Sequence, residues 1–258
     1  MSRADRRRQE KEDQRLVARG IDVNRRDPAQ VIALMRMLRQ QLAEAQVAGT
    51  VAPLIRYLHE NFEAAGRRAP RQDIACSKGC AHCCHVWVSV RAPEVLFVLS
   101  MLRAKGHMVA LGESHAQIAS LDVEARRQIA TPCPMLGGDN LCQIYTARPL
   151  ACRAAVSADA GACERAYRLF EDETIPVPDA FRNQKTSYTV ALAGALRHAG
   201  LPYVSYEFNS ALQAALARSD AEAAWLAGED VFAAAQRDPA GDPFVNPSHQ
   251  KLYDAAFG

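Results

Sequence analysis

Hydrophobic residues recur at helical spacing over most of the chain. The first such stripe consists of Val31, Leu34, Met35, Leu38 and Leu42. Residues three or four positions apart share one face of a helix, so this stripe predicts an amphipathic helix. Asp27-Pro28 is typical of its start, because Asp caps a helix and proline suits the first turn. The same reasoning predicts further helices over about residues 51–65, 92–105, 114–130, 163–170, 176–198, 209–218 and 220–236.

Start and stop signals support several of these helices. Pro93 and Gly106 bracket the third, whose expected buried stripe is Val95, Val98, Leu99 and Leu102. Capping boxes are predicted at Ser114/Gln117 and at Ser219/Glu222, where a hydroxyl and an acid or amide stand three residues apart. The short β-branched and aromatic stretch HVWVSV, residues 85–90, favours one extended strand.

The centre of the chain lacks this periodicity. Residues 131–160 are rich in turn residues, and Gly-Gly-Asp-Asn at 137–140 indicates a tight hairpin-like turn. The last twenty residues are expected to be loosely ordered. We therefore predict a mainly α protein, whose helices flank an irregular cysteine-rich core with at most a short strand or hairpin. The expected divisions are a charged arm (1–26), N-terminal helices (27–73), a cysteine-cluster metal-binding domain (74–168) and a C-terminal helical region packed on it (169–258).

Charge and hydropathy narrow the class of protein. The chain has 258 residues and a net charge of +2. Residues 1–26 contain nine Lys/Arg and five Asp/Glu, a local excess of +4, so residues 27–258 sum to −2. Nucleic-acid-binding domains usually have an excess of basic residues, which residues 27–258 lack, so we do not expect nucleic acid to be a partner. No apolar run reaches the roughly 20 residues of a membrane span, and the N-terminus lacks the apolar core of a signal peptide. The expected location is the cytoplasm.

The distribution of the cysteines is the strongest indication of function in the sequence. All eight cysteines lie between Cys76 and Cys163, and four of them fall within CSKGCAHCCH at residues 76–85. Buried structural cysteines would be spread over the whole core, and the cytosol disfavours disulfides. The pattern favours metal chelation, with the irregular centre ordered by metal–thiolate bonds. The candidate ligands are Cys76, Cys80, Cys83, Cys84, Cys133, Cys142, Cys152 and Cys163.

Thiolate ligands suit zinc and iron equally, so the residues leave open Zn²⁺ or iron, the latter including a [4Fe-4S] cluster. Eight thiolates exceed the four that one tetrahedral zinc takes. Either two metal centres form, or one forms and some cysteines remain free. If both Cys83 and Cys84 bind metal, either the backbone turns tightly between them or two centres share the site.

The motifs CSKGCAHCC, CPML, CQIYTARPLACR and ACERA, which begin at Cys76, Cys133, Cys142 and Ala162, resemble the YkgJ-type cysteine-cluster family of zinc- or iron-chelating proteins. The resemblance covers about residues 74–168 and includes all eight cysteines in order. The first gap has three residues here instead of two. The resemblance implies metal chelation by the cysteines. A flagellin lysine N-methylase has a related cluster, so a metal-dependent protein lysine methyltransferase is the alternative function.

Two other enzyme classes are less favoured. Cys76-x3-Cys80-x2-Cys83 has the spacing of a radical-SAM motif, but the chain lacks the alternating βα pattern of that fold. The Cys80/Cys83 pair also has the spacing of a disulfide-exchange motif, which would need a thioredoxin-like βαβ context.

Several residues near the cysteines have two interpretations. His82 and His85 could bind the metal or act as hydrogen-bond donors around it. Arg148 and Arg153 could offset thiolate charge or lie at the surface. Glu94 is explained by the dipole of its helix more readily than as a ligand. Tyr145 is expected in the core.

Overall fold

The computed structural model describes residues 27–67, 74–106, 113–129 and 131–258. The predicted N-terminal arm lies outside these ranges, as do the side chains of Lys105, Glu113 and Ser114. The described chain is mainly helical, which confirms the predicted class. Its α-helices are α1 (Pro28–Ala48), α2 (Ala52–Gly66), α3 (Ala92–Lys105), α4 (Glu113–Ala119), α5 (Val123–Arg127), α6 (Leu150–Arg153), α7 (Ala160–Arg168), α8 (Asp179–His198), α9 (Phe208–Leu216), α10 (Ala221–Leu226) and α11 (Pro247–Phe257).

Three short 3₁₀ helices and two strands complete the described structure. The 3₁₀ helices are His82–His85, Tyr145–Ala147 and Pro243–Val245. Strands β1 (Ser89–Val90) and β2 (Tyr206–Glu207) pair antiparallel. Only two residues of the HVWVSV stretch are therefore in a strand.

Helix α1 begins and ends where the sequence predicts. The Asp27 carboxylate accepts a hydrogen bond from the Ala29 amide at 2.9 Å, and Gly49 ends the helix with a left-handed φ of 70°. All five residues of the predicted stripe are buried. They pack mainly on α8 and α2. At the α1–α8 contact, Gly194 leaves room for the Met35 thioether, with which any larger side chain would collide. A single buried hydrophobic core runs through these helices.

Helix α3 also matches its prediction. It ends at Gly106, which has a left-handed φ of 66°, and its expected stripe of Val95, Val98, Leu99 and Leu102 is fully buried. Helix α9 packs on α3 and α4, and the β1–β2 pair joins the start of α3 to the start of α9. The cysteine-rich segment is thereby attached to the helical core from both sides.

Two predicted helices are interrupted. The helix expected at 114–130 is divided into α4 and α5, because the Asp122 carboxylate accepts from the Ala125 amide at 2.8 Å and starts a new helix. The helix expected at 220–236 ends at Leu226, and Gly228 follows with a φ of 100°. The predicted Ser219/Glu222 box is wrong, since Glu222 instead accepts from the Val51 amide at 2.7 Å, at the start of α2.

The expectation of loose order in the last twenty residues is also wrong. Asn246 caps α11 by accepting from the Ser248 amide at 2.9 Å. The Phe257 ring stacks on His198 with ring centres 4.0 Å apart. Arg36 of α1 donates to the carbonyl of Ala256 at 3.0 Å. Contacts with distant helices therefore hold this segment in place. None of the helices in the described ranges combines the length and apolar character needed to cross a membrane.

Candidate metal centre

The run Cys76–Cys84 forms a turn followed by the 3₁₀ helix His82–His85. Gly79 has a left-handed φ of 85°, which glycine adopts without steric cost. A 3₁₀ helix has about three residues per turn, so successive side chains leave it about 120° apart. The backbone therefore turns at Cys83-Cys84, and the two thiols can face different neighbours.

A first thiol group consists of Cys76, Cys80 and Cys163. Helix α7 packs against the 3₁₀ helix His82–His85 and brings Cys163 to this side of the cysteine run. Burial is the main cause of the raised pKa values of Cys76 and Cys163. The charge of Cys80 raises both further. These three thiols are therefore close enough to act on one another.

Ser157 connects two members of this group, and the sequence analysis did not identify it. Its amide donates to the Cys76 Sγ at 3.4 Å. Its hydroxyl donates to the Asp159 carbonyl at 2.9 Å, and its side chain partly opposes the effect of burial on the pKa of Cys163. Ser157 is 1% exposed. A lone serine between two distant cysteines has no spacing signal, so only the folded structure reveals this role.

A second thiol group consists of Cys133, Cys142 and Cys152. The Cys133 amide donates to the Cys84 carbonyl at 2.7 Å, which joins this group to the cysteine run. The predicted turn at 137–140 is present, since Leu136 and Cys142 form an antiparallel bridge across it. The pKa of Cys133 and of Cys152 is raised to about 12, chiefly by burial. The charge of Cys142 contributes to the rise at both thiols.

Cys83 lies between the two groups. Its hydrogen bond with Cys84 is the largest cause of its raised pKa, and burial is the next. Besides burial, the charge of Cys83 raises the pKa of Cys76 and Cys163 in the first group. It does the same for Cys142 and Cys152 in the second. Cys83 is thus electrostatically coupled to both thiol groups.

Arg148 faces the second thiol group. Burial dominates the raised pKa values of Cys142 and Cys152, and the positive charge of Arg148 opposes it at both. The Arg148 guanidinium lies 3.8 Å from the centre of the Tyr145 ring. Tyr145 is 62% exposed, so its predicted place in the core is wrong, and the neighbouring Ile144 is the buried residue.

Arg153 has a different role. Its Nε donates to the Arg148 carbonyl at 2.8 Å, and its guanidinium pairs with Glu63 of α2. It therefore fixes the turn that carries Arg148 and ties this turn to α2. Of the two arginines considered for offsetting thiolate charge, only Arg148 lowers the pKa of cysteines in the second group.

Glu94 is 4% exposed and links two helices. One carboxylate oxygen accepts from the Arg91 amide at 2.9 Å at the start of α3. The other accepts from the Leu150 amide at 2.7 Å at the start of α6, the helix that contains Cys152. Burial raises the pKa of Glu94, and the two amide donors oppose this rise. Both oxygens are occupied by helix caps, which agrees with its interpretation as a helix-end residue.

The two histidines of the run differ in their surroundings. The Nδ1 of His85 lies 3.2 Å from the Ala81 carbonyl and carries the proton of the neutral ring. Burial lowers the pKa of His85. The Nδ1 of His82 is buried and has no hydrogen-bond partner among the described residues. His82 therefore retains a ring nitrogen that could act as a ligand beside the thiols.

His59 of α2 predicts a measurable pH dependence of stability. Its pKa is lowered to about 3, chiefly by burial and also by the charges of Arg153 and Arg148. The folded protein keeps this ring neutral while the unfolded chain protonates it below about pH 6.5, so stability falls as the pH drops. From pH 7.5 to 5 we expect the free energy of unfolding to fall by about 2 kcal/mol through this group.

Urea unfolding of the metal-free protein with excess chelator at the two pH values would measure this loss. His59→Gln should show a pH dependence smaller by that amount. His85 and His115, whose pKa values burial also lowers, contribute equally to both proteins. Equal pH dependence in the two proteins would contradict the expectation.

The donor atoms are near one another but do not form a coordination sphere. All eight cysteines are free thiols. Among the residues that the structure describes, no three His, Cys, Asp or Glu side chains are grouped so that they could hold a metal ion. The donor chemistry fits zinc or iron, since soft sulfur ligands suit both.

Comparison with known families gives one match. Residues 75–175 match the family model CxxCxxCC, described as a putative zinc- or iron-chelating domain. No curated protein and no solved structure matches the chain. The match contains all eight cysteines, Glu94, Arg126 and Arg148, whereas helices α1, α2, α8, α9, α10 and α11 lie outside it.

Proposed function

We propose that residues 75–175, which match the CxxCxxCC family model, bind Zn²⁺ or iron through the eight cysteines, in two groups that meet at Cys83. The observation that supports this most directly is the electrostatic coupling of Cys83 to both thiol groups. Cys84 adjoins the second group through its carbonyl contact with Cys133. Two separate groups of thiols are better suited to bind two metal centres than one.

The electrostatics of the free thiols also support a cation. Burial raises the pKa of Cys133 and Cys152 to about 12, so both are protonated in the metal-free protein near neutral pH. A metal supplies the positive charge that makes ionisation of such thiols favourable, and its binding releases their protons. The protein contributes the turn at Gly79, the Glu94 caps and the Arg148 charge, which place and favour the thiolates.

The test is anaerobic purification followed by metal analysis and a visible spectrum. We expect metal that survives dialysis against a weak chelator, at one to two ions per chain for zinc. A visible charge-transfer band with iron and inorganic sulfide would instead identify an iron–sulfur cluster. Cys80→Ser and Cys142→Ser, one from each group, should each lower the metal content. A wild-type protein that retains neither zinc nor iron after loading would contradict the proposal.

A further inference from the structure

Arg126 is a buried cation beside the second thiol group. Its side chain belongs to α5 and is 1% exposed. Neither Nε nor Nη1 has a hydrogen-bond partner among the described residues, and Nη2 lies 3.5 Å from the Cys84 carbonyl. Burying a guanidinium with unsatisfied donors is unfavourable, because the lost hydration is not replaced. A buried guanidinium with free donors is expected where it pairs with a negative charge in another state of the protein.

The immediate surroundings supply little of that charge in the metal-free protein. Burial lowers the pKa of Arg126, and the charges of Cys133 and Glu207 oppose this. The Glu207 carboxylate is already engaged, since it accepts from the Asn209 Nδ2 at 2.9 Å and from the Ser210 amide at 2.6 Å. The Cys133 amide donates at 2.7 Å to the Cys84 carbonyl that Nη2 of Arg126 also approaches, so Cys133 lies beside the guanidinium without a direct hydrogen bond to it. The guanidinium therefore lacks a direct anionic partner within the described residues.

We infer that Arg126 is the internal counter-cation of the second thiol group when that group holds a metal. This inference rests on the proposed chelation. Four thiolates around one divalent ion retain two negative charges. Arg148 reaches this group near Cys142 and Cys152, whereas Arg126 lies on the side of Cys133, through the Cys84 carbonyl that both approach. Two arginines would offset the charge of the loaded centre, and a metal-bound Cys133 thiolate would give Arg126 the partner that it lacks.

The adjacent residue Arg127 provides a matched control. It follows Arg126 in the same helix, but its side chain is 71% exposed and lies 3.9 Å from Glu124. Arg126→Met therefore removes one positive charge from the interior, and Arg127→Met removes one from the surface. The sequence alone does not distinguish the two arginines of VEARR.

The test compares metal affinity and metal-free stability in these two variants. We expect Arg126→Met to weaken zinc binding about 10–100-fold in competition with a chromophoric chelator, as loss of an outer partner of a metal site does. Arg127→Met should bind as the wild type does. In excess chelator, the urea midpoint of unfolding of Arg126→Met should not fall below that of Arg127→Met, because the change removes an unsatisfied buried charge.

Arg126→Lys and a double-mutant cycle complete the test. Lysine keeps the charge, so its zinc affinity should lie between those of the wild type and Arg126→Met. With Cys133→Ser as background, the effect of Arg126→Met on affinity should shrink, because the thiolate that it faces is absent. Equal affinity of the two methionine variants would overturn the inference, as would failure of metal-free Arg126→Met to fold. A wild type that binds no metal would contradict the proposed function itself.

Discussion

Replacing Glu94 by alanine is expected to lower the free energy of unfolding by about 3–5 kcal/mol, the cost of removing one side of a buried charged network. The Arg91 and Leu150 amides would each lose a carboxylate acceptor. Arg91, which is buried, would lose the negative charge that opposes the lowering of its pKa by burial. Because Leu150 starts the helix of Cys152, this change should also weaken metal binding by the second thiol group.

Chemical unfolding and chelator competition on the same protein would separate the two effects. Glu164→Ala is the matched control, since Glu164 is an exposed glutamate of α7 in the same domain. Glu94→Gln keeps the size of the side chain but has one carbonyl oxygen in place of two carboxylate oxygens. It can therefore accept in the usual way from only one of the two backbone amides that Glu94 caps. Its loss of stability should be intermediate. A Glu94→Ala protein as stable as Glu164→Ala would show that neither cap matters.

The helices around the site were predictable because their signals are local. A stripe such as that of α1 records which face of the helix is buried, and Gly49 and Gly106 occupy left-handed positions that favour glycine. These features depend on residues within a few positions of one another. The class of fold therefore follows from the hydrophobic pattern alone.

The errors arose where distant residues decide the local structure. Glu222 has the spacing of a capping box but caps α2, which is about 170 positions away in the chain. The C-terminal segment lacks a strong stripe, yet Arg36 and His198 hold α11 against the core. A sequence pattern does not record such partners.

The site was predictable in its ligand types and only partly in its organisation. The exclusive occurrence of cysteine between Cys76 and Cys163 points to chelation without any structure. The division into two groups depends on the 3₁₀ turn at Cys83-Cys84 and on the packing of α7, which spacing does not encode. Ser157 and Arg126 were missed because each gains its role only through burial beside the thiols.

Replacing Cys83 by serine is expected to weaken metal binding by both thiol groups. The serine hydroxyl is nearly the size of the thiol but is a poor ligand for soft metals. Loss of a ligand should exceed the 10–100-fold loss typical of outer partners, so we expect affinity to fall by at least about 100-fold at each centre. The helical core lies outside the cysteine run, so the described helices should remain folded.

Cys80→Ser and Cys142→Ser are the controls, because each thiol belongs to one group only. Titration of the three variants with zinc, followed by metal counting after dialysis, would compare the number of ions lost. We expect each control to lose the ion of its own group and Cys83→Ser to lose both. A Cys83→Ser protein that still holds one ion as tightly as the wild type would assign Cys83 to a single group. Cys84, which adjoins the Cys133 amide through its carbonyl, would then be the ligand that the other group requires.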